Sequence, residues 1–239
     1  CPGGLVVGAT SEVGRVVTNG MSQHTRNERN ANSGIVVGID QNDMAPYGEG
    51  PGDPLAGLAF QRHWEGQAFL RGGSTYAAPA QRVGDFLARR PSSPRQPPED
   101  QLATEPQQPG RPMDPVQPSY APGVSFTSLD GCLPEPVLEA IREALPAFER
   151  SIPGFAMAEA VITGVETRTS SPVRLPRDRT TLESVNIPGL FPAGEGAGYA
   201  GGILSAAIDG LKVAEAVALN RLLRLRHPEA PGESASAPV

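Results

Sequence analysis

The sequence is short of cysteine. It has two, Cys1 and Cys132, and three histidines, His24, His63 and His227. These provide neither a disulfide framework nor the Cys/His spacing of a metal site. A reducing compartment is the default for such a chain, and the expected location is cytoplasmic. Aromatic residues make up only 5% of the chain, so its core must be built from Val, Leu, Ile and Ala. No apolar run approaches the roughly 20 residues that a membrane-spanning helix needs. The net charge of -6 leaves no basic excess for a phosphate backbone or an anionic bilayer, so neither nucleic acid nor membrane is an expected partner. G-x-S-x-G, H-E-x-x-H and a recognisable carboxylate pair are all missing. So is an internal repeat. An initiator methionine and a signal peptide are missing too: Cys1-Pro2-Gly3-Gly4 runs directly into Leu5-Val6-Val7, as in a segment of a longer protein.

What the chain does have is glycine and proline, 28 and 26 among 239 residues. That length suits one large domain or two modest ones. Ten prolines fall between Pro91 and Pro122, among Gln, Ser, Glu and Arg. Such a stretch buries too little apolar area to offset its ordering entropy, so 91–122 reads as a disordered or extended insertion, either a linker or a polyproline II ligand. Residues 4–8 and 14–18 read as a β-hairpin, with Asn19-Gly20 as a following turn, and 35–39 as a short strand. Asp53-Pro54 reads as a helix start and Gly72-Gly73 as its end. Val137, Leu138, Ile141, Leu145 and Phe148 share one helical face. Residues 161–169 and 189–193 read as strands. A long helix follows from about 202, with Ile203, Leu204, Ala207, Ile208, Leu211, Ala214, Val217 and Leu222 at helical spacing.

Gly196, Gly198 and Gly201 satisfy G-x-G-x-x-G between the strand at 189–193 and that helix. Glycines let backbone N–H groups approach a ligand, and a helix start adds partial positive charge. A dinucleotide fingerprint also needs a second strand with an acidic residue about 20 positions on. Here the helix runs to Arg224, Arg226 and Pro228, and Glu215 lies inside it. No G-K-[ST] follows either, so this is neither a first βαβ turn nor a P-loop. The stretch Ile187-Pro188-Gly189-Leu190-Phe191-Pro192-Ala193-Gly194-Glu195 instead resembles the second flavin-contacting segment of two-dinucleotide-binding-domain flavoproteins. With CPGGLVV (1–7), SEVGRVVTNGMS (11–22), ANSGIVV (31–37), GVETRTSSPVR (164–174) and ESVNIPGLFPAGEGAGYAGGI (183–203), the chain resembles the uncharacterised FAD-dependent dehydrogenases of bacteria and plastids, often labelled NAD(FAD)-utilising dehydrogenases.

The resemblance implies an α/β fold: the C-terminal part of an FAD/NAD(P)-binding Rossmann-like domain plus an inserted mixed α+β substrate-side domain, with the first βαβ unit absent. The implied division is 1–90 and 123–154 for the inserted domain, 91–122 for the Pro-rich insertion, 155–226 for the C-terminal segment of the FAD domain and 227–239 for a frayed tail. A Rossmann segment holding the ADP half of FAD is expected upstream. The implied activity is hydride transfer through the flavin N5, with an unidentified substrate and NAD(P)H as a candidate electron donor. The other reading is a non-catalytic fragment, or a nucleotide- or phosphate-binding module without flavin chemistry. Gly194, Glu195, Gly198, Tyr199, Ala200, Gly201, Gly202 and Ile203 would contact the cofactor. For Glu195 the alternative is an acidic side chain favouring the next helix's positive end. For the glycines it is a tight turn, and Tyr199 either stacks on the ring system or packs internally. Thr167, Thr169 and Ser170, with Ser171, would lie on the substrate side. Arg168 is the candidate catalytic group, holding an anionic substrate or the reduced flavin. A surface salt bridge is its alternative, with Arg174 and Arg177 equally placed for the role. Cys1 reads as a small turn or core residue. Arg62, His63 and Trp64 read as a mixed helix face.

Overall fold

Gly4–Gly8 (β1) pairs antiparallel with Thr18–Ser22 (β2), in register from Gly4 opposite Ser22 to Gly8 opposite Thr18. The expected second strand, 14–18, is displaced by four residues, and Asn19-Gly20 lies inside β2 rather than in a turn. Backbone partners explain the shift. Val16 N–H donates to the carbonyl of Glu65 at 3.0 Å and Val17 N–H to the Thr10 hydroxyl at 3.0 Å, so these donors are bonded elsewhere. Val16 and Val17 are nonetheless buried, as their apolar character demands. The computed structural model describes residues 2–94 and 116–226. The central part of the Pro-rich insertion and the tail from 227 lie outside the described residues.

Chain contacts divide the protein into two units, Cys1–Arg168 and Thr169–Val239. In the first, a four-residue helix, Gln41–Met44 (α1), precedes Ala56–Arg71 (α2). Asp53 prepares the start of α2 by accepting from the N–H groups of Leu55 and Glu49, which hold its carboxyl below the ordinary range. Gly72 ends it. A Cβ there would stand 1.9 Å from the carbonyl oxygen of Ala77, so only glycine lets the chain turn back. Ala78–Arg82 (β3) lies at the centre of a three-stranded sheet. It pairs parallel with Val124–Phe126 (β4) and antiparallel with Val161–Thr163 (β5), and Val83–Leu87 (α3) follows it directly. The helix expected after Leu133 is Glu135–Ser151 (α4). Its Leu138, Ile141 and Leu145 enter the core beside Phe86, Ala78 and Val165.

Residues 35–39 form no paired strand, although Ile35 and Val37 pack against this core. The strand expected at 161–169 stops at Thr163, because the Val165 carbonyl turns to accept from Thr18. The pairing of β5 with β3 keeps 155–168 within the first unit, which ends at Arg168.

The second unit holds one described helix, Ile203–Arg226 (α5), starting where the sequence placed it. The strand expected at 189–193 does not form. Pro188 and Pro192 lack the N–H a ladder needs, Gly189 has φ +84°, and Ser184 N–H folds back onto the Leu190 carbonyl at 2.7 Å. The architecture of the described residues is therefore mixed α/β with two small sheets. No helix among them is long and apolar enough to cross a membrane.

Candidate functional site

The glycine-rich stretch of the second unit is organised by a cluster that the sequence reading did not single out. Arg177, its side chain only 8% exposed, forms a bidentate pair with Asp209 of α5 at 2.6 and 2.9 Å. The same guanidinium donates to the Pro192 carbonyl at 2.7 Å and lies 3.7 Å over the Tyr199 ring. Asp209 also accepts from Gly194 N–H at 2.8 Å. Arg177, foremost, and the Gly194 amide hold the Asp209 carboxyl down to about 2. The Tyr199 hydroxyl donates to the Leu175 carbonyl and accepts from Arg177 N–H, and Arg174 stands 4.4 Å from the ring centroid. These contacts pack Tyr199 within the second unit.

This scaffold bends the chain through two short closures, Gly198 N–H to the Glu195 carbonyl at 2.9 Å and Tyr199 N–H to the Gly194 carbonyl at 3.0 Å. Gly198 has φ +81°, and a Cβ on it would meet the Val173 carbonyl oxygen at 2.6 Å. Beyond Tyr199 the backbone opens. The N–H groups of Ala200, Gly201, Gly202 and Ile203 donate to no described residue, and Gly201 faces open space. They sit at the start of a 24-residue helix, where partial positive charge gathers. Glu195 is half-buried, and its carboxylate has no partner among the described residues. Amide donors at a helix start suit a ligand carrying anionic oxygens, and a nearby carboxyl in the sequence suits one carrying hydroxyl groups.

In the first unit, Arg168 is committed to a fully buried carboxylate. Glu65 of α2 accepts from its Nε at 2.8 Å and from its Nη2 at 2.7 Å, and from the Thr167 hydroxyl at 2.9 Å. Ser11 accepts from Arg168 Nη1, and Glu12 pairs with Arg15 and Arg62 nearby. The hydrogen bonds to Glu65, foremost, raise the Arg168 pKa further. The arrangement ties the 9–17 loop, α2 and the end of the segment after β5 together, and its charge is already neutralised. Thr169 and Ser170, the first residues of the second unit, are exposed. The Cys132 thiol is buried, which pushes it up to about 11 and away from thiolate chemistry. No cluster of three or more His, Cys, Asp or Glu among the described residues is placed to hold a metal ion.

Sequence reasoning missed Asp209. The available signal was an acidic residue in the second turn of the helix, seven positions after the glycine run. Arg177 was visible only as an alternative to Arg168.

Comparison with known proteins identifies the class. The chain belongs to the family described as "FAD-dependent protein, C-terminal domain-like", which matches residues 1–169. That membership associates it with flavoproteins. It is also similar to an uncharacterized protein of Clostridium beijerinckii, 48% identical over 215 residues. The alignment spans 90% of this chain but 36% of that relative's length. The glycine-rich stretch lies beyond the residues that the family match covers.

Proposed function

We infer that the chain is the C-terminal portion of an FAD-dependent oxidoreductase and that 194–203 is its flavin-contacting segment. Residues 169–226 then complete a Rossmann-like FAD domain whose sheet and ADP-binding turn belong to another part of a longer polypeptide. The observation that carries this reading is the set of amides at Ala200–Ile203, and the Glu195 carboxylate a few residues before them, that have no partner among the described residues, in a chain of an FAD-dependent family. When bound, FAD supplies a two-electron centre able to accept or give a hydride at N5. The amides at the head of α5 would hold anionic oxygens, and Glu195 would accept from sugar or ribityl hydroxyls. Arg177 and Asp209 act through the backbone, fixing the loop from Gly194 to Tyr199 so that those donors need no reorganisation when the cofactor binds. Thr169 and Ser170 would border the substrate. Arg168, paired with Glu65, acts within the first unit rather than meeting an anion with a free charge.

The experiment is the absorption spectrum of the purified Clostridium beijerinckii relative, with mass identification of any released ligand. Near-ultraviolet and blue flavin bands, released as FAD and bleached by NADH, are the expected result. A colourless protein that takes up no added flavin would overturn the reading.

A further inference from the structure

Residues 33–39 have the burial pattern of a strand but no strand partner among the described residues. From Ile35 to Ile39 the side chains alternate between half-buried and exposed, with Val36 62% exposed between Ile35 and Val37. That is the period of an extended strand with one face on a core. Yet no backbone N–H or C=O from Ser33 to Ile39 is hydrogen-bonded to any described residue. A run with a strand's burial period whose amides have no partner among the described residues is a template for another strand. Beside it lies an apolar groove of about 530 Å³, walled by Ser33–Val37 on one side and by α4 on the other. The small side chains of Ala140 and Ala144 leave the α4 wall open, and Phe148 and Ile152 at its far end are exposed.

We propose that Ser33–Ile39 is an internal edge of a larger sheet, and that its missing neighbour is a β-strand from the part of the longer family polypeptide that precedes this chain's region. Two facts select that occupant. The family is described as a C-terminal domain, so in its members other sequence comes first, and this chain accounts for 36% of the length of its Clostridium relative. The groove also states what the strand must carry. Its lining offers no charged group, so every second side chain is apolar and enters between Val36 and Phe148, while the alternate ones face outward. The incoming backbone supplies the hydrogen bonds that this edge lacks. This inference is independent of the flavin assignment.

Amide hydrogen exchange tests it on two intact proteins, this 239-residue chain and the full-length Clostridium relative, with the amides of α4 as the internal reference. In the relative, the stretch aligned with Ser33–Ile39 should exchange about a hundredfold more slowly than in this chain, with protection at every second residue as one-sided strand pairing requires. The full-length protein decides alone if α4 is unprotected in the shorter chain. Alternate protection there supports the proposal. Exchange there at the rate of free loops overturns it. Protection in this chain that grows with its own concentration would also overturn it, by assigning the edge to a second copy.

Discussion

Asp209 is the residue on which the second unit's geometry turns. It joins α5 to Arg177 and to the amide of Gly194, and both charged partners are largely buried. Replacing one member of such a pair strands the other. Asp209→Asn should therefore cost about 3 kcal/mol, read as a lower urea midpoint at unchanged slope. The pH dependence has a definite sign. Because the folded carboxyl is held near 2, below its ordinary value of 3.8, its contribution is fully present above about pH 4 and is lost as the pH falls through 2. An acid titration of stability should show this loss in the native chain and not in Asp209→Asn. Gly198 and Gly201 differ in kind although both belong to the same pattern. Gly198→Ala forces a side chain into positive φ and against the Val173 carbonyl, and should destabilise by about 1–3 kcal/mol. Gly201→Ala meets open space and should stay within about 0.5 kcal/mol. Equal losses in thermal or urea unfolding would contradict the placement of the loop.

At the scale of elements, the Glu65–Arg168 pair fastens α2 to the segment that follows β5. Glu65→Leu leaves the guanidinium without its buried partner and should cost about 3 kcal/mol, and adding Arg168→Met should recover much of that loss. A double substitution no more stable than Glu65→Leu alone would show that the ion pair is not what the carboxylate contributes. Helices were the legible elements. α2, α4 and α5 were readable because caps, glycine stops and 3.6-residue spacing are local properties. The strands were not, since their partners are set by distant chain. Val16 bonds to Glu65, so the hairpin moved, and prolines broke 189–193. The apolar stripe of α5 carries the same lesson. Its spacing promised a core face, yet Ile203 is 90% exposed and Leu211 72%, while Val213 alone of the helix's apolar side chains is buried. Helical period says which residues share a face, not what covers it. The glycine pattern likewise revealed a loop before a helix, but not the Arg177–Asp209 pair that shapes it.

For the whole molecule, two features have no covering partner among the described residues: the exposed leucines of α5 and the edge beside α4. The family is described as a C-terminal domain, and this chain spans 36% of its Clostridium relative. On this account the chain contributes one wall of a flavin site rather than a complete one. Its own share of the cofactor contacts is therefore measurable and modest. The most direct measurement is the affinity of the purified chain for added FAD, by flavin fluorescence anisotropy, compared with that of Glu195→Ala. The account predicts saturable binding that Glu195→Ala weakens about tenfold or more, the value of a hydrogen bond to a charged acceptor. Binding of equal strength in both proteins, or none in the native chain, would contradict it.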